Sequence, residues 1–440
     1  MVWLLVSWGP ESALAWGSRI PGPLTIVKGV LGAAAILLKP GSSLNFQQTC
    51  PSDNGLHCNN RRNLQAMKPL ALSRDTVKPN ADMPKLFDTD ITTPFNITTS
   101  CQEPLEAAGV DTFWEQIELV ERTNRANYGL IFYFNHDNIT DKDTAYQNGL
   151  AQQLISCLRG LGLPIGTLKM TKGKNLTDVG EEMKYLKVTT LDLYSNALSA
   201  IPDLCGGNIG KTLRVLDLYD NKLNETSDLQ NLECLTALIE LDLSYNRFTN
   251  LPDSLSSLDT LEELELRGNP LGDASNFSIL THLPKLATLG LSQTNLTNLP
   301  DSLSPLDTLE ELDLNANPLG DASNFSILTQ FPKLATLGLY ATNLTNLPDS
   351  LSPLDTLEEL DLSDNPLGDA SNFSILTRTN FPKLATLGLS QTNLTKLPEP
   401  VKDILPQLEA LYLFNTTACD NLIGASAWNV TKADAQKISC

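Results

Sequence analysis

The sequence lacks the usual signatures of metal and redox chemistry. None of its eight cysteines forms a CxxC pair, and no HExxH or GxSxG segment occurs among its 440 residues. Histidine is scarce, with three residues in the whole chain. These absences argue against zinc sites, redox dithiols, metalloproteases and α/β hydrolases. The sequence therefore predicts no catalytic residue, no metal site and no cofactor.

Positive charge is also in short supply. The chain has 31 basic and 51 acidic residues, a formal net charge of −20. Most of this excess lies in residues 186–416, which hold 12 basic and 31 acidic residues. Such a balance argues against nucleic acid and anionic membrane surfaces as partners, and it favours a basic protein or peptide.

Long apolar runs are missing beyond the N-terminal part, where no stretch reaches 18 apolar residues. The run GVLGAAAILL, from Gly29 to Leu38, follows Arg19 and Lys28 and precedes small residues. This pattern resembles the apolar region and cleavage zone of a secretory signal; an uncleaved anchor and a buried core helix are the alternatives. Residues 1–45 are thus predicted to be a signal peptide or signal anchor, and the mature chain to be secreted without a transmembrane span.

Cysteines and glycosylation sequons agree with an extracellular location. An even cysteine set predicts disulfides in an oxidising compartment, and the pairing in sequence order is one of many connectivities: Cys50 with Cys58, Cys101 with Cys157, Cys205 with Cys234, and Cys419 with Cys440. NxS/T sequons mark predicted N-glycosylation at Asn96, Asn138, Asn175, Asn224, Asn276, Asn295, Asn324, Asn343, Asn372, Asn393, Asn415 and Asn429. Six of them are copies made by repeat duplication.

A periodic motif begins at Val188. Ten segments follow the pattern LxxLxLxxNxL at spacings of 23 to 27 residues, among them LRVLDLYDNKL, LEELELRGNPL and LEELDLNANPL. We number these coils 1 to 10 and the motif positions from the first residue of each segment. The pattern resembles the leucine-rich repeat family. The resemblance implies an α/β solenoid of horseshoe form with a parallel sheet on its concave face.

Strand alternation explains the motif. In LDL, Leu312 and Leu314 are predicted to point into the core while Asp313 faces outward. One coil cannot bury such a face alone, so coils must stack. The ninth residue, usually Asn, can donate and accept hydrogen bonds between neighbouring coils, whereas the Thr of coils 5, 7, 9 and 10 offers fewer bonds.

The motif also divides the chain. Residues 186–416 are predicted to be the solenoid, and residues 46–185, which lack the repeat, a small α+β capping domain. Within that region YGLIFYF suggests a strand, while TFWEQIELVER and DTAYQNGLAQQLISCLRGLG suggest helices. Residues 417–440 are predicted to cap the last coil, with Trp428 against exposed leucines.

Two nearly identical 48-residue copies, starting at Leu258 and Leu306, differ at seven positions. Five of the seven occupy motif positions five, seven and eight, where side chains leave the concave sheet. Neutral drift at exposed positions is one explanation. The other is a concave face that contacts a ligand, since solenoids bind along that surface.

The outward positions of this face are rich in acidic and aromatic residues, a combination that suits a basic partner. A charge stripe that only keeps the protein soluble is the alternative. The predicted ligand-binding residues are Asp192, Tyr194, Asp217, Tyr219, Asp242, Tyr245, Glu265, Arg267, Asp313, Asn315, Tyr340, Asp361, Ser363, Tyr412 and Phe414.

Enzyme chemistry finds little support. Glu263 and Glu265 have a spacing close to that of some glycosidase carboxylates, but the pair recurs in later coils, which indicates architecture. The sequence predicts non-enzymatic protein recognition by a secreted glycoprotein. The alternatives are a structural or adhesion protein of the cell surface, and a glycan-active enzyme with its site in the N-terminal region.

Overall fold

The computed structural model describes residues 129–133, 142–161, 164–227, 229–352, 354–424 and 432–440. All of them belong to one compact unit, residues 69–440. The predicted signal region, the TFWEQIELVER segment, Trp428 and the sequons at Asn96, Asn138 and Asn429 lie outside the described residues.

The described strands form one sheet in which every strand pairs in parallel with the next along the chain. The strands are β1 Gly129–Tyr133, β2 Pro164–Thr171, β3 Lys187–Asp192, β4 Val215–Asp217, β5 Glu240–Asp242, β6 Glu263–Glu265, β7 Thr288–Gly290, β8 Glu311–Asp313, β9 Thr336–Gly338, β10 Glu359–Asp361, β11 Thr386–Gly388, β12 Ala410–Tyr412 and β13 Ile438–Ser439. Strands β3 to β12 are the strands of coils 1 to 10, so the predicted solenoid is confirmed.

One helix of the described residues is long, and the others are short. The α-helices are α1 Thr144–Leu161, α2 Ile209–Thr212, α3 Glu399–Ile404, α4 Thr417–Gly424 and α5 Lys432–Ala435. The returns between strands contain 3-10 helices at Glu181–Tyr185, Gln230–Leu232, Asp253–Ser257, Phe277–His282, Asp301–Leu303, Phe325–Gln330 and Asp349–Leu351. The helix predicted around residues 143–162 and the strand predicted in YGLIFYF are both present.

The core is a continuous column of leucines. Leu312 and Leu314 have no exposed surface, and neither do most leucines at the same positions of other coils. On the opposite side of the core, Phe325 and Leu328 are fully buried and Phe331 nearly so. The alternation of LxL thus fixes which side of each strand faces the core.

Buried asparagines join successive coils, as predicted. In coil 6, the Asn317 side chain donates to the carbonyls of Leu291 (2.7 Å) and Leu314 (3.0 Å). Its Oδ1 accepts from the backbone N–H groups of Thr294 and Leu296, both at 3.0 Å. In coil 5, the Thr294 hydroxyl at the same position has a single proton to donate, and it lies 2.6 Å from the Leu291 carbonyl and 3.2 Å from Asn317 Oδ1.

The sheet extends beyond the repeat at both ends. Strand β2 pairs with β3, and β1 with β2, so the sheet is not interrupted at the predicted boundary near residue 185. At the other end β13 pairs with β12. The division of the chain into capping domain, solenoid and C-terminal cap stays a prediction.

Candidate functional site: the strand face

The face of the sheet opposite the leucine core carries the side chains at motif positions three, five, seven and eight. We call it the strand face; it is the face predicted to be concave. Its position-five residues are in register across four coils, since Asp192, Asp217, Asp242 and Glu265 pair in sequence. Parallel strands lie about 4.8 Å apart, so the four form a row of acidic groups.

A lysine ends this acidic row, and the sequence did not predict it. Lys169 of β2 is in register with Asp192. Its Nζ lies 2.9 Å from Asp192 Oδ2. Because the row is otherwise of one sign, Lys169 offsets the negative charge at one end and leaves Asp217, Asp242 and Glu265 as its acidic part.

The aspartates at position five also have an internal role. In each coil that has one, the carboxylate accepts a hydrogen bond from the backbone N–H two residues later, at position seven. The pairs are Asp192 with Tyr194 (3.1 Å), Asp217 with Tyr219 (2.9 Å), Asp242 with Ser244 (2.8 Å), Asp313 with Asn315 (2.9 Å) and Asp361 with Ser363 (3.0 Å). Each of these bonds stabilises an Asx turn at the end of the strand.

Three of the four coils that lack an acid at position five obtain this bond from the preceding coil. Coil 7 has Gly338 there, and the Tyr340 N–H donates to Asn315 Oδ1 at 2.7 Å. Coil 9 has Gly388, and its position-seven N–H, from Ser390, donates to Ser363 Oγ at 3.1 Å. Asn315 and Ser363 are buried. The prediction that these two residues contact a ligand stays untested, and the structure gives them a role within the solenoid.

Three tyrosines form a second row beside the acidic one. The ring centroids of Tyr194 and Tyr219 lie 5.2 Å apart, and those of Tyr219 and Tyr245 4.9 Å apart. The Arg267 guanidinium carbon lies 5.5 Å from the centre of the Tyr245 ring, which extends the row by a cation–π contact. Burial raises the Tyr219 pKa to about 12, with smaller contributions from its two tyrosine neighbours.

Tyrosines of this face reach across coils. The Tyr245 ring lies against Gly268 of coil 4, where a Cβ atom would stand 2.9 Å from the ring. The Tyr245 hydroxyl lies 3.1 Å from Gln293 Oε1 of coil 5. In the second half of the solenoid, the Tyr340 hydroxyl interacts with the side chains of Asp364 and Gln391. These contacts account for part of the variation at positions seven and eight.

Two aromatic side chains occupy the strand face of the last coil. Tyr412 and Phe414 are stacked, with ring centroids 6.2 Å apart, and both are half-buried. Gly388 precedes Tyr412 in the position-five register. This end of the strand face is therefore aromatic, whereas the opposite end combines tyrosines with acids.

A second column of acidic residues lies at position three, and the predicted site omitted it. Glu240, Glu263, Glu311 and Glu359 are half-buried on the strand face. Burial, followed by the neighbouring Asp313 and Glu359, raises the Glu311 pKa to about 7. The strand alternation that placed Asp313 outward also places position three outward, so the signal was present in the sequence.

Carboxyl groups in the middle of the strand face have raised pKa values. Burial raises the Asp313 pKa to about 6, against the opposing effects of the Asn315 N–H bond and of Arg267. Burial also raises the Asp361 pKa. The Glu265 pKa lies well above its usual range because of burial and the nearby carboxyls of Asp242 and Glu263. A cationic group bound here would favour the ionised forms.

The disulfides join residues outside the strand face. Cys205 is bonded to Cys234 and Cys419 to Cys440, with Cα–Cα distances of 5.5 and 5.6 Å. Both are pairs of the sequence-order prediction. Cys157 is also disulfide-bonded. Cys50, Cys58 and Cys101 lie outside the described residues.

All described sequons except Asn415 lie outside the motif positions whose side chains form the strand face. The exposed ones are Asn276, Asn295, Asn343, Asn372, Asn393 and Asn415; the half-buried ones are Asn175, Asn224 and Asn324. Asn415 lies at position eight of coil 10. Glycans at the other sites would leave most of the strand face uncovered, but glycosylation itself stays a prediction.

Within the described residues, no group of three or more His, Cys, Asp or Glu side chains has the arrangement of a metal site. Nor does that part of the chain contain a helix long and apolar enough to cross a membrane.

The family is now established. The model of the leucine-rich repeat region matches residues 187–413, just over half of the chain. The chain therefore belongs to the leucine-rich repeat family. No curated protein sequence matches it.

The chain is similar to several solved structures at low sequence identity. The chain is similar to the Arabidopsis receptor kinase HAESA, in a complex with the peptide hormone IDA and the co-receptor SERK1, at 22% identity and a TM-score of 0.46. That match covers 72% of this chain and 54% of HAESA, about half its length. An internalin of Listeria monocytogenes matches at 17% identity and a TM-score of 0.45, covering 74% of this chain and 94% of its own. A leucine-rich repeat protein of Leptospira interrogans matches at 20% and 0.46, covering 80% and 100%. These similarities concern the fold alone.

Proposed function

We propose that the protein recognises a basic protein or peptide segment through the strand face, without catalysis. The observation that carries this proposal is the acidic row of Asp217, Asp242 and Glu265 beside the tyrosines Tyr219 and Tyr245. Aromatic side chains are frequent anchors of protein interfaces, and carboxylates in a row repel one another unless a cation lies between them.

The location that fits this function is extracellular. An N-terminal signal, N-glycosylation and disulfides are its proposed features, and the two complete disulfides of the described residues support it. The secreted protein should begin near residues 39–50 and lose mass on enzymatic deglycosylation. An intracellular, unglycosylated full-length chain would contradict this part of the proposal.

The variant Asp217→Asn/Asp242→Ser tests the proposed binding face. Both new side chains keep an oxygen that can accept from the Tyr219 and Ser244 N–H groups, so the substitutions remove charge and preserve these bonds. Serine replaces Asp242 because asparagine there would create a glycosylation sequon with Ser244 on the strand face. The matched control, Asp259→Asn/Asp307→Ser, removes the same charge from exposed turns before strands β6 and β8.

The measurement is binding of the full-length protein to arrays of synthetic basic, neutral and acidic peptides at low and high salt. We expect basic peptides to bind selectively and more weakly as salt rises, because exposed charges are screened over about 8–10 Å at physiological ionic strength. The strand-face variant should bind about tenfold more weakly than the control variant. Equal binding by both variants, or no preference for basic peptides, would contradict the proposal.

A further inference from the structure

Three coil junctions place a glycine at position five after a coil with an acid there. Gly290 follows Glu265, Gly338 follows Asp313 and Gly388 follows Asp361. At the second and third junctions, Asn315 and Ser363 at position seven accept the N–H of the next coil. At the first junction this position is Arg267, whose guanidinium has only donors and cannot accept such a bond.

The first junction also contains polar atoms without partners. Glu265 Oε1 and Arg267 Nε are buried, and neither has a hydrogen-bond partner among the described residues. A buried polar atom without a hydrogen bond lowers the stability of the folded state. At the two equivalent junctions, motif positions five and seven hold an Asp–Asn pair and an Asp–Ser pair. The Glu–Arg pair of the first junction is therefore the exception among three nearly identical repeats.

The surroundings of the junction restrict what could bind there. Arg267 interacts with Asp313 and lies against the Tyr245 ring. Four carboxyl groups act on Glu265, those of Asp242, Glu263, Asp313 and Glu311. The local field is therefore negative around an acceptor, Glu265 Oε1, while Arg267 Nε offers a donor. A group that supplies both a cationic donor and a neutral acceptor complements this pair.

We propose that Glu265 and Arg267 form the anchor subsite of the strand face, which takes one Lys or Arg side chain of an extended partner segment. Both atoms are covered in the unbound structure, so binding includes a rotation of these two half-buried side chains toward the partner. The ammonium or guanidinium then donates to Glu265 Oε1, and a main-chain carbonyl of the same segment accepts from Arg267 Nε. Tyr245 forms one side of the subsite. This inference rests on the proposed function and goes further by naming the coil at which the partner is fixed.

Sister coils supply the substitutions for the test. Arg267→Asn gives the first junction the acceptor that the second already has, and Glu265→Gln removes the charge at the same size. Glu262→Gln is the matched control, because it removes a glutamate charge from the same coil at an exposed position outside the strand face.

The probes are blocked nonapeptides of alanine and glycine with one central arginine or, for comparison, one central glutamine. Calorimetric titration of the full-length protein at low salt measures their affinities. We expect Glu265→Gln and Arg267→Asn to weaken the arginine peptide about tenfold or more, since bonds to charged groups contribute about 1.5–3 kcal/mol. Glu262→Gln should change its affinity less than about threefold.

A stability measurement accompanies the titration. Arg267→Asn should raise the urea midpoint, because it removes an unbonded donor and supplies a missing acceptor, whereas a purely structural role for Arg267 predicts a lower midpoint. Unchanged affinity in Glu265→Gln and Arg267→Asn would overturn the anchor subsite. An equal loss in Glu262→Gln would overturn it too, because the loss would then follow from charge removal at any position of the coil. No saturable binding of the arginine peptide also overturns it, and the peptide arrays then decide the proposed function separately.

Discussion

Asn315 Oδ1 accepts the backbone N–H of Tyr340 across a coil boundary, at 2.7 Å. The acceptor is needed because coil 7 has Gly338 where other coils have an aspartate that serves the same N–H. A Cβ atom on Gly338 would lie 2.8 Å from Asn315 Oδ1, so the glycine also makes room for the asparagine. Position seven of one coil and position five of the next are thus physically coupled.

This coupling predicts how substitutions of Asn315 behave. Asn315→Ala should lower the free energy of unfolding by about 1–3 kcal/mol, since it leaves the part-buried Tyr340 N–H without its acceptor. Asn315→Ser should cost clearly less, because Ser363 performs the same task in coil 8. Urea denaturation of both variants measures the difference. Equal losses would show that packing, and not the hydrogen bond, holds this position.

Comparison of Gly268 with Gly320 distinguishes two reasons for a glycine, which are positive φ and lack of space for a Cβ atom. Both have positive φ, +70° and +61°, but a Cβ at Gly268 would meet the Tyr245 ring at 2.9 Å whereas Gly320 has open space. Gly320→Ala should cost about 1–2 kcal/mol through backbone conformation alone. Gly268→Ala should cost more and should change the near-ultraviolet circular dichroism through Tyr245. Identical costs and an unchanged spectrum would argue against the ring contact.

The raised pKa of Glu311 predicts a pH-dependent stability difference. The folded pKa of about 7 lies above the value of about 4.5 for an unperturbed glutamate, so the folded state binds the proton more tightly. Its contribution is fully present below about pH 4.5 and is lost as the pH rises through about 7. Relative to wild type, Glu311→Gln should therefore gain stability between pH 5 and pH 8.

Urea midpoints across this pH range provide the measurement, and Glu310→Gln is the control because it removes the same charge at an exposed neighbouring position. The urea midpoints of wild type and Glu311→Gln should approach each other as the pH falls toward 5. Parallel curves for Glu311→Gln and wild type would show that burial does not perturb this carboxyl group.

The Cys205–Cys234 bond closes a loop of 29 residues between neighbouring coils. By the chain-entropy relation, Cys205→Ser/Cys234→Ser should lower the free energy of unfolding by about 3–4 kcal/mol. Nonreducing peptide mapping should link the two cysteines, as well as Cys419 with Cys440. Alkylation of Cys205 and Cys234 as free thiols in the native protein would contradict the pairing.

Much of the architecture could be predicted because it is local and repeated. The LxL alternation alone assigns Leu312 and Leu314 to the core, and the hydrogen-bonding capacity of an amide assigns Asn317 to its bonds between coils. The pairing of Cys205 with Cys234 follows from stacked coils, in which residues about one repeat apart become neighbours.

The strand face was harder to predict because its side chains reach past the nearest coil. Alternation shows that Asp313 and Asn315 point outward, but it does not show that both become buried. The Tyr245 hydroxyl meets Gln293, 48 residues away, only because the ring crosses Gly268. Lys169 was missed since it belongs to β2, before the repeat begins.

The near identity of the two 48-residue copies has a consequence for how the array could change in length. Removal of residues 306–353 would join Pro305 directly to Leu354. Coil 8 would then pack against coil 5 instead of coil 7, and coils 5 and 7 have nearly the same sequence. Gain or loss of one double unit by unequal recombination would thus require no new interface between coils. Each such event would alter the strand face by two strands, about 9.6 Å, while leaving the tyrosine row and the Glu265–Arg267 pair in place.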